Sequence, residues 1–485
     1  MNGVSFLVNI VTVKIKNNNN YLKQVMAKKK ILLLSDDLRM ASGIANVSKQ
    51  LVLGTVDKYD WVQLGAAIKH PEMGKVLDLS DDIKQKTGVS DANVKLYPFD
   101  GYGNADVIRQ LLMIEKPDAI LHFTDPRYWI WLYDIEHEIR QSVPIFFYHI
   151  WDDLPDPKYN RDYYESCDWI GCISKQTYGI TRRVWGWDKE THWKKPEKWQ
   201  VSYVPHGINK DDYKPTIVPD EFKKSIFGDK EYEFVLYWSN RNIRRKQPID
   251  VMLAFEEFRK SLPENKRDKV CLLMHTTPVE EHGTDLPTTV EHCMPDANVI
   301  FAPDRYTEEQ LNWLYNIADV TINIASNEGF GLATAESLMA GTPIIVEVTG
   351  GLQDQCGFKM KGSDKYITAD DYVEIGSLHH KKKYENAVEC GEWVKPIWPV
   401  RSSTGSIPTP YIFDDRIDYA DVAPLIKEWY DMGDKKRKEA GLKGREWMIG
   451  DGGLSRENMC KTLVDGMDGA FENWKPKQKF RLIEL

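Results

Sequence analysis

The chain has 485 residues, of which 42% are hydrophobic and 28% are charged. This length suggests two or three domains, and this composition is typical of a folded globular chain rather than a disordered one. The net charge of −9 argues against general adhesion to phosphate backbones or anionic lipid, and no apolar run reaches the roughly 18 residues of a membrane span.

Seven cysteines are scattered along the chain, and none of them lies in a CxxC pair. An odd number without a pairing pattern argues against a disulfide framework, so we expect reduced thiols and a cytoplasmic location. The spacing of histidines and cysteines matches no zinc pattern, so the sequence predicts no metal site. Nothing in the composition indicates the oligomeric state.

Residues 1–26 precede the first regular pattern of the sequence. They contain the run NNNN at 17–20, and Met26 is followed by AKKKILLLSDD, which looks like a natural protein start. We expect residues 1–26 to be a disordered or dispensable extension. The alternative is a short added edge strand.

Residues 27–208 alternate short apolar runs with longer amphipathic stretches. This alternation predicts parallel βαβ units in a doubly wound sheet, and therefore a first Rossmann-like domain. Residues 65–93 and 185–198 match no pattern and are interpreted as loops. The predicted strands are 31–35, 119–123, 144–149, 169–174 and 200–205, and the predicted helices are 44–53, 105–115 and 175–185.

Residues 209–220 (NKDDYKPTIVPD) are polar and contain two prolines, which is typical of a linker. A second alternation follows and predicts a second Rossmann-like domain over 221–454, with an irregular stretch at 351–415 whose role stays open. Residues 455–485 are predicted to form a helix and tail that pack back on the first domain. The predicted strands are 234–238, 270–275, 299–302, 320–324 and 343–347, and the predicted helices are 248–261, 308–317, 422–432, 435–448 and 455–472.

The segment TINIASNEGFGLATAESLMAGTPIIV, residues 321–346, carries the strongest functional signal. A strand leads into a turn with Glu328 and the tripeptide Gly-Phe-Gly, and a helix that starts near Leu332 carries Glu336 on its first turns. Ligands bind at the carboxyl ends of parallel strands, where free helix N–H groups favour negative charge. Two carboxylates there suit sugar hydroxyls, although acids near a helix start also complement its dipole.

Glu328, seven intervening residues and Glu336 closely resemble the E-x7-E signature of retaining GT-B glycosyltransferases of the glycosyl transferase group 1 class. The segment VPHGIN at 204–209 is similar to the family's crossover between domains, and SNRNIRRKQP at 239–248 resembles its Arg…Lys phosphate clamp. The resemblance covers most of residues 28–347. It implies an α/β protein of the GT-B fold, in which two Rossmann-like doubly wound domains face a cleft and helices follow at the C-terminus.

The resemblance implies transfer of a sugar from a nucleotide-diphosphate sugar to an acceptor hydroxyl with retention of configuration. Glu336 would bind the ribose, Glu328 the donor sugar, and Arg241 with Lys246 the leaving diphosphate, while His149 would lie near the reacting sugar. The family usually has glycine directly after the lysine, where this chain has Gln247, and Arg245 adjoins Lys246. Which of these cations contacts which phosphate therefore stays open. The other implied donor contacts are Gly43, Arg245, Arg305, Gly329, Phe330, Gly331 and Leu332.

The donor is implied to be a UDP-, GDP- or ADP-sugar, with no other cofactor and no metal, because the family stabilises the leaving group with protein cations. The acceptor stays open between a glycan, a lipid, a protein and a modified nucleobase, and Asp152 and Asp153 are candidates to contact it. Two other interpretations remain at this point. One is a nucleotide-sugar hydrolase or epimerase on the same fold, and the other is a non-catalytic sugar-binding protein.

Overall fold

The computed structural model describes residues 28–67, 71–185 and 196–478. The predicted extension at 1–26 and most of the predicted loop at 185–198 therefore lie outside the described residues. In the described part of the chain, no helix is both long enough and apolar enough to cross a membrane.

The first sheet has eight strands in the order β3-β4-β2-β1-β5-β6-β7-β8, and only the short edge strand β3 runs antiparallel to its neighbour. In β1, Ile31 and Leu33 enter one hydrophobic core and Leu32 and Leu34 enter another, because successive side chains point to opposite faces. The strands are β1 (Lys29–Asp36), β2 (Tyr59–Ala66), β3 (Leu77–Asp78), β4 (Val94–Pro98), β5 (Ala119–Phe123), β6 (Ile145–His149), β7 (Trp169–Cys172) and β8 (Val201–Tyr203).

The strands β2 and β4 were not predicted, and the loop predicted at 65–93 is wrong because it contains the end of β2, strand β3 and a helix. Polar residues break the apolar run of β2. Gln63 is buried there because its side-chain amide donates to Ser35 Oγ and to the Asp36 carbonyl oxygen, both at 2.8 Å. A buried polar group satisfied by a neighbouring strand leaves no trace in local hydrophobic periodicity.

The second sheet is parallel and has six strands in the order β11-β10-β9-β12-β13-β16. Together with the first sheet, it confirms the predicted pair of doubly wound α/β layers. Two small antiparallel pairs, β14–β15 and β17–β18, lie in the stretch predicted to be irregular. The strands are β9 (Phe234–Ser239), β10 (Val270–His275), β11 (Asn298–Phe301), β12 (Val320–Asn323), β13 (Ile344–Glu347), β14 (Lys359–Met360), β15 (Val388–Glu389), β16 (Val394–Ile397), β17 (Val400–Thr404) and β18 (Ile412–Arg416).

Helices cover both faces of each sheet, and the predicted helices 105–115, 175–185, 248–261 and 308–317 are confirmed with these same bounds. The helices of the first half are α1 (Gly43–Thr55), α2 (Ser80–Thr87), α3 (Ala105–Glu115), α4 (Ile130–Asp134), α5 (Glu136–Ile139), α6 (Arg161–Glu165) and α7 (Lys175–Trp185). Those that follow are α8 (Asp220–Phe227), α9 (Pro248–Ser261), α10 (Glu264–Arg267), α11 (Leu286–Cys293), α12 (Glu308–Ile317), α13 (Leu332–Ala340), α14 (Ala369–Ile375), α15 (Lys381–Tyr384), α16 (Tyr419–Met432), α17 (Asp434–Ile449) and α18 (Arg456–Asn473).

The last helix, α18, crosses from the second half of the chain to the first sheet. The Tyr59 hydroxyl donates to Asp468 Oδ1 at 2.7 Å, and the Phe471 ring packs edge-on against Phe146 with centroids 5.3 Å apart. The two halves are therefore joined through both the 209–220 segment and this helix.

Residues 350–378 make a further junction with α7 of the first half. Gln353 Nε2 donates to Gln176 Oε1 at 2.9 Å, and the Ser377 hydroxyl donates to the same oxygen at 2.7 Å. Asp354 accepts from the backbone N–H of Lys175 at 3.0 Å and from the Tyr203 hydroxyl at 2.9 Å. These buried polar contacts fix how the two sheets face each other.

Candidate active site

The carboxyl ends of the two sheets face each other, and a cavity of about 550 Å³ lies between them. Strand order reverses at β1 in the first sheet and at β9 in the second, so loops diverge there and leave a crevice. We call this space the donor cavity. Its lining includes Ser42, Gly43, Ile150, Asp152, Ile173, His206, Asn240, Arg245, Lys246, Glu328, Gly329, Phe330, Gly331, Leu332 and Glu336.

Two helices begin at the donor cavity, one from each half. Helix α1 is capped by Ser42, whose Oγ accepts from the Ala45 N–H at 3.1 Å, and helix α13 starts at Leu332 after Gly331 in the left-handed region at φ 85°. A Cβ placed on Gly43 would lie 3.5 Å from the Leu332 side chain. The two helix N-termini thus converge, and their free N–H groups favour an anion between them.

Lys246 and Glu328 form a buried, hydrogen-bonded ion pair at the wall of the donor cavity. Asn323 Nδ2 also donates to Glu328 Oε1 at 3.0 Å. Burial by itself would raise the pKa of Glu328, but Lys246 and Arg245 outweigh it and lower that pKa. Arg245 is held beside the pair by donating to the Asn327 carbonyl oxygen at 2.9 Å. Burial lowers the pKa of Lys246, although Glu328 opposes that shift. The wall therefore presents two basic side chains beside one carboxylate.

Arg241 and Arg305, two of the predicted donor contacts, do not line the donor cavity. The Arg241 side chain is 60% exposed and is ion-paired with Glu280, and Arg305 is also exposed. The short helical turn Arg244–Lys246 instead directs Arg245 and Lys246 at the cavity. Of these arginines, Arg245 therefore lines the cavity, whereas Arg241 and Arg305 do not.

Gln247 occupies the position where the family usually has glycine. Its φ of 50° lies in the left-handed region, which explains why glycine suits this position. The buried Gln247 amide donates to Ser326 Oγ at 3.2 Å and to Glu347 Oε2 at 3.4 Å. These contacts hold a non-glycine residue in a disfavoured conformation directly after the Lys246 cation.

The Gly-Phe-Gly turn is fixed from the opposite side by a glutamine that the sequence did not single out. Gln355 Nε2 donates to the Phe330 carbonyl at 2.7 Å and to the Gly331 carbonyl at 2.9 Å. A Cβ on Gly329 would come within 2.8 Å of the Ile173 side chain of the first half. The first half of the molecule therefore packs closely against the turn at Gly329.

Glu336 lies where the donor cavity meets a second cavity of about 600 Å³. The Tyr315 hydroxyl donates to Glu336 Oε2 at 2.7 Å. Burial raises the pKa of Glu336 to about 7, although hydrogen bonds from Tyr315 and Tyr213 oppose the shift. Other residues lining the second cavity are Leu38, Lys49, Val52, Leu53, Ile83, Lys86, Tyr306, Glu308 and Leu311.

His149 ends strand β6 as predicted, but the structure does not bring it to either cavity. It is buried, with Nδ1 3.0 Å from the Thr181 hydroxyl and Nε2 3.3 Å from the Tyr164 hydroxyl. Burial lowers its pKa to about 3. The donor cavity is lined instead by His206, within the VPHGIN crossover, and by His275, at the end of β10.

We expect His149→Ala to act on stability rather than on donor binding. Removing a buried ring with two hydrogen-bonding partners should cost about 2–4 kcal/mol of unfolding free energy. Urea titration measures that loss, and the donor KM of the folded variant should match wild type. A donor KM raised tenfold at unchanged stability would instead place His149 in the donor site.

Asp152 and Asp153 lie on the first-half wall, opposite the cations. Asp152 lines the donor cavity, and Asp153 Oδ1 accepts from Asn327 Nδ2 of the second half at 2.8 Å. Burial and the neighbouring Asp152 raise the pKa of Asp153 to about 8, although the Asn327 hydrogen bond lowers it. Asp153 thus connects the two halves and carries a proton more readily than an exposed aspartate.

This raised pKa predicts how stability depends on pH. An aspartate in the unfolded chain has a pKa of about 3.9, so the folded chain holds the Asp153 proton more tightly. The stability that this tighter proton binding contributes is fully present at pH values below the unfolded pKa. It is lost as the pH rises through about 8. The stability of Asp153→Asn relative to wild type should therefore increase from pH 5 to pH 9.

Thermal unfolding at pH 5, 7 and 9 measures the Asp153 effect. The exposed Asp81→Asn is the matched control, and it should change stability by less than about 0.5 kcal/mol throughout. A difference between Asp153→Asn and wild type that does not vary with pH would contradict the prediction.

Comparison with known proteins finds a family match within the second half of the chain. Residues 219–363 match the family described as glycosyl transferases group 1. A curated relative, D-inositol 3-phosphate glycosyltransferase from Xylanimonas cellulosilytica, is 25% identical over 181 residues. That alignment spans 35% of this chain and 42% of the relative, so less than half of the relative's length is matched.

Two solved structures share the whole architecture. Sucrose-phosphate synthase from Thermosynechococcus elongatus has a TM-score of 0.62 at 14% identity, covering 92% of this chain and 100% of that one. HepE from Anabaena, solved with UDP and glucose, has a TM-score of 0.56 at 11% identity, covering 91% of this chain and 99% of that one.

The chain has the GT-B fold, with two Rossmann-like halves that face each other across the donor cavity. Within that fold, residues 219–363 match the group 1 glycosyltransferase family. The predicted fold class is confirmed, and the match over residues 219–363 agrees with the family predicted from the sequence.

Proposed function

We propose that this protein is a retaining glycosyltransferase that moves a sugar from a nucleotide-diphosphate sugar to an acceptor hydroxyl. The observation that carries the proposal is the lining of the donor cavity. The N-termini of two helices and the side chains of Lys246 and Arg245 favour an anion there, and Glu328 and Glu336 line the same cavity. A diphosphate flanked by two hydroxyl-rich sugars needs both kinds of group.

In the proposed arrangement, the donor lies along a line from Glu328 to the second cavity. Glu328 accepts from hydroxyls of the transferred sugar, and the cations bind the diphosphate. Glu336 accepts from the ribose, which directs the base into the second cavity beyond it. That cavity combines aliphatic side chains with Tyr306, which suits a planar heterocycle.

The proposed chemistry needs charge stabilisation more than a protein nucleophile. As the bond from the sugar to the diphosphate breaks, negative charge grows on the leaving oxygen next to Lys246, Arg245 and the helix N-termini. The acceptor enters on the face from which the diphosphate leaves, and its proton passes to a leaving phosphate oxygen. Because the protein supplies this positive charge, we propose that the reaction needs no divalent metal.

A thermal-shift screen against UDP-, GDP- and ADP-sugars tests the proposal. A ligand at 100 times its dissociation constant stabilises the folded state by about 2.7 kcal/mol, so one nucleotide series should clearly raise the melting temperature. Mass spectrometry of reactions with candidate acceptors then identifies the product. If no nucleotide sugar shifts the melting temperature and none is consumed, the proposal fails.

A further inference from the structure

A histidine that the sequence did not single out, His206, lines the donor cavity from the crossover between the two halves. It follows β8, and only 6% of it is exposed. Its ring packs edge-on against Tyr148 of β6 and against Phe330 of the Gly-Phe-Gly turn, with centroids 5.3 Å apart in both pairs. His206 therefore lies between the carboxyl edge of the first sheet and the turn that follows Glu328 in the second half.

The surroundings of Tyr148 determine which ring nitrogen of His206 carries the proton. The Tyr148 hydroxyl lies 3.0 Å from the Val204 carbonyl oxygen and 2.8 Å from His206 Nδ1. A hydroxyl has one proton to donate, and a carbonyl oxygen can only accept. Both contacts are satisfied only if the hydroxyl donates to Val204 and His206 Nδ1–H donates to the hydroxyl.

The other ring nitrogen, Nε2, is then an unprotonated hydrogen-bond acceptor. It has no hydrogen-bonding partner within residues 28–67, 71–185 and 196–478. Because the ring is otherwise enclosed by its neighbours, Nε2 faces the donor cavity. Burial lowers the pKa of His206 to about 3, so the ring stays neutral and Nε2 keeps its lone pair.

The backbone around His206 is fixed by the start of helix α18. The Gly207 N–H donates to Met459 Sδ at 3.2 Å, and the Ile208 N–H donates to the Leu454 carbonyl oxygen at 3.0 Å. A Cβ on Gly207 would overlap the Ser455 carbonyl oxygen. The imidazole is therefore held in place before any ligand binds, as a binding group with a low ordering cost should be.

Among the parts of a nucleotide sugar, a hydroxyl of the transferred sugar fits Nε2 best. A diphosphate carries only acceptor oxygens, which an unprotonated nitrogen repels. The ribose and the base are assigned to Glu336 and the second cavity. His206, in contrast, packs on Phe330, two residues after the carboxylate assigned to the transferred sugar.

We propose that His206 Nε2 accepts a hydrogen bond from a hydroxyl of the transferred sugar. The contact rests on the proposed transferase function, because it takes the donor to lie between Glu328 and the second cavity. Glu328 and His206 belong to different halves of the molecule, so the sugar would be held by one acceptor from each. Such a pair selects sugars by the directions of their hydroxyls.

Calorimetry on the full chain with UDP-, GDP- and ADP-glucose, and with the three nucleoside diphosphates, tests the contact. His206→Phe lacks Nε2 but keeps a ring against Phe330, and it leaves Tyr148 donating to Val204. It should bind the nucleotide sugar about five- to fiftyfold more weakly than wild type, because a buried hydroxyl loses its partner. Its affinity for the nucleoside diphosphate should be unchanged.

Two further variants control for the substitution itself. His206→Gln places a side-chain oxygen near the position of Nε2 and should recover part of the affinity for the nucleotide sugar. His137 is exposed on α5, so His137→Phe should bind both kinds of ligand like wild type.

Nitrogen NMR of the 15N-histidine-labelled wild type gives a second readout, which decides if His206→Phe does not fold. The signal that His206→Gln removes should report a neutral ring with its proton on Nδ1. Its Nε2 resonance should shift when the nucleotide sugar is added, but not with the nucleoside diphosphate.

Three results would contradict the contact and leave the donor site standing. They are a proton on Nε2, unchanged nucleotide-sugar affinity in His206→Phe, and equal losses of affinity for the nucleotide sugar and the nucleoside diphosphate. If no nucleotide sugar binds the wild type, the transferase function itself fails, and the contact fails with it.

Discussion

Replacing Lys246 with alanine is expected to lower kcat/KM for the donor by about a hundred- to a thousandfold, the effect of removing one preorganised charge-stabilising group. Lys246 lines the donor cavity, as do the N-termini of α1 and α13, and the leaving group would gain charge there. The substitution also leaves Glu328 without its ion-pair partner, so the melting temperature should fall as well. Release of nucleoside diphosphate measures the activity.

Arg241→Ala is the matched control, because Arg241 belongs to the same sequence motif but is exposed and paired with Glu280. It should keep activity within about twofold and stability within about 0.5 kcal/mol of wild type. Lys246→Met keeps most of the aliphatic stem and serves if the alanine variant does not fold. Equal losses in Arg241→Ala and Lys246→Ala would contradict the assignment of the phosphate cations.

The second large effect is expected at Glu336, the carboxylate between the two cavities. A hydrogen bond to a charged group is worth about 1.5–3 kcal/mol, so Glu336→Ala should raise the donor KM by about one to two orders of magnitude. The residue is only partly buried, and the chain should remain folded. Donor titration by calorimetry checks the affinity, and wild-type affinity would exclude the ribose contact.

Glu336 also predicts a pH dependence of donor binding. Burial raises its pKa to about 7, and only the ionised carboxylate accepts from both ribose hydroxyls. Donor affinity should therefore increase between pH 6 and pH 8 in wild type and stay flat in Glu336→Gln. The titrant is a nucleotide sugar, because the terminal phosphate of a free nucleoside diphosphate titrates in the same range. An identical increase in Glu336→Gln would assign the effect to another group.

Much of the fold could be predicted because the relevant signals are local. The apolar runs of β1 and β5 and the amphipathic stretches of α7 and α9 carry their own periodicity, and these elements appear where predicted. The structure of the 321–346 segment could also be predicted, because the strand, the glycine turn and the helix follow each other directly in the sequence. Strand β2 was missed because Gln63 is satisfied by groups on β1, which no local pattern shows.

The candidate site was less predictable, because tertiary contacts decide which side chains of a loop point into the cavity. Arg241 and Arg245 lie four residues apart in one basic loop, and only the geometry of the loop decides which of them faces the cavity. The same holds for His149, which ends β6, and His206, which follows β8. Gln355 reaches the donor turn from 25 residues away in sequence, so no motif could have identified it.

The role of residues 350–378 could not be predicted either, because it depends on contacts with residues far away in the sequence. Sequence patterns did not assign them a role, and their role in the structure comes from partners on α7, such as Gln176 with Gln353 and Lys175 with Asp354. These contacts place the first-half wall against the donor turn, where Ile173 packs on Gly329. The shape of the donor cavity therefore depends on pairs of residues about 180 positions apart.

The most direct test of the central proposal is to identify which bond of a nucleotide sugar this protein breaks. Purified protein is incubated with UDP-, GDP- and ADP-glucose plus a saccharide mixture, and the products are analysed by mass spectrometry and proton NMR. The proposed mechanism predicts release of a nucleoside diphosphate from one donor and an α-linked glycoside on the acceptor. Release of a nucleoside monophosphate, a β-linked product, or no consumption of any donor would contradict it.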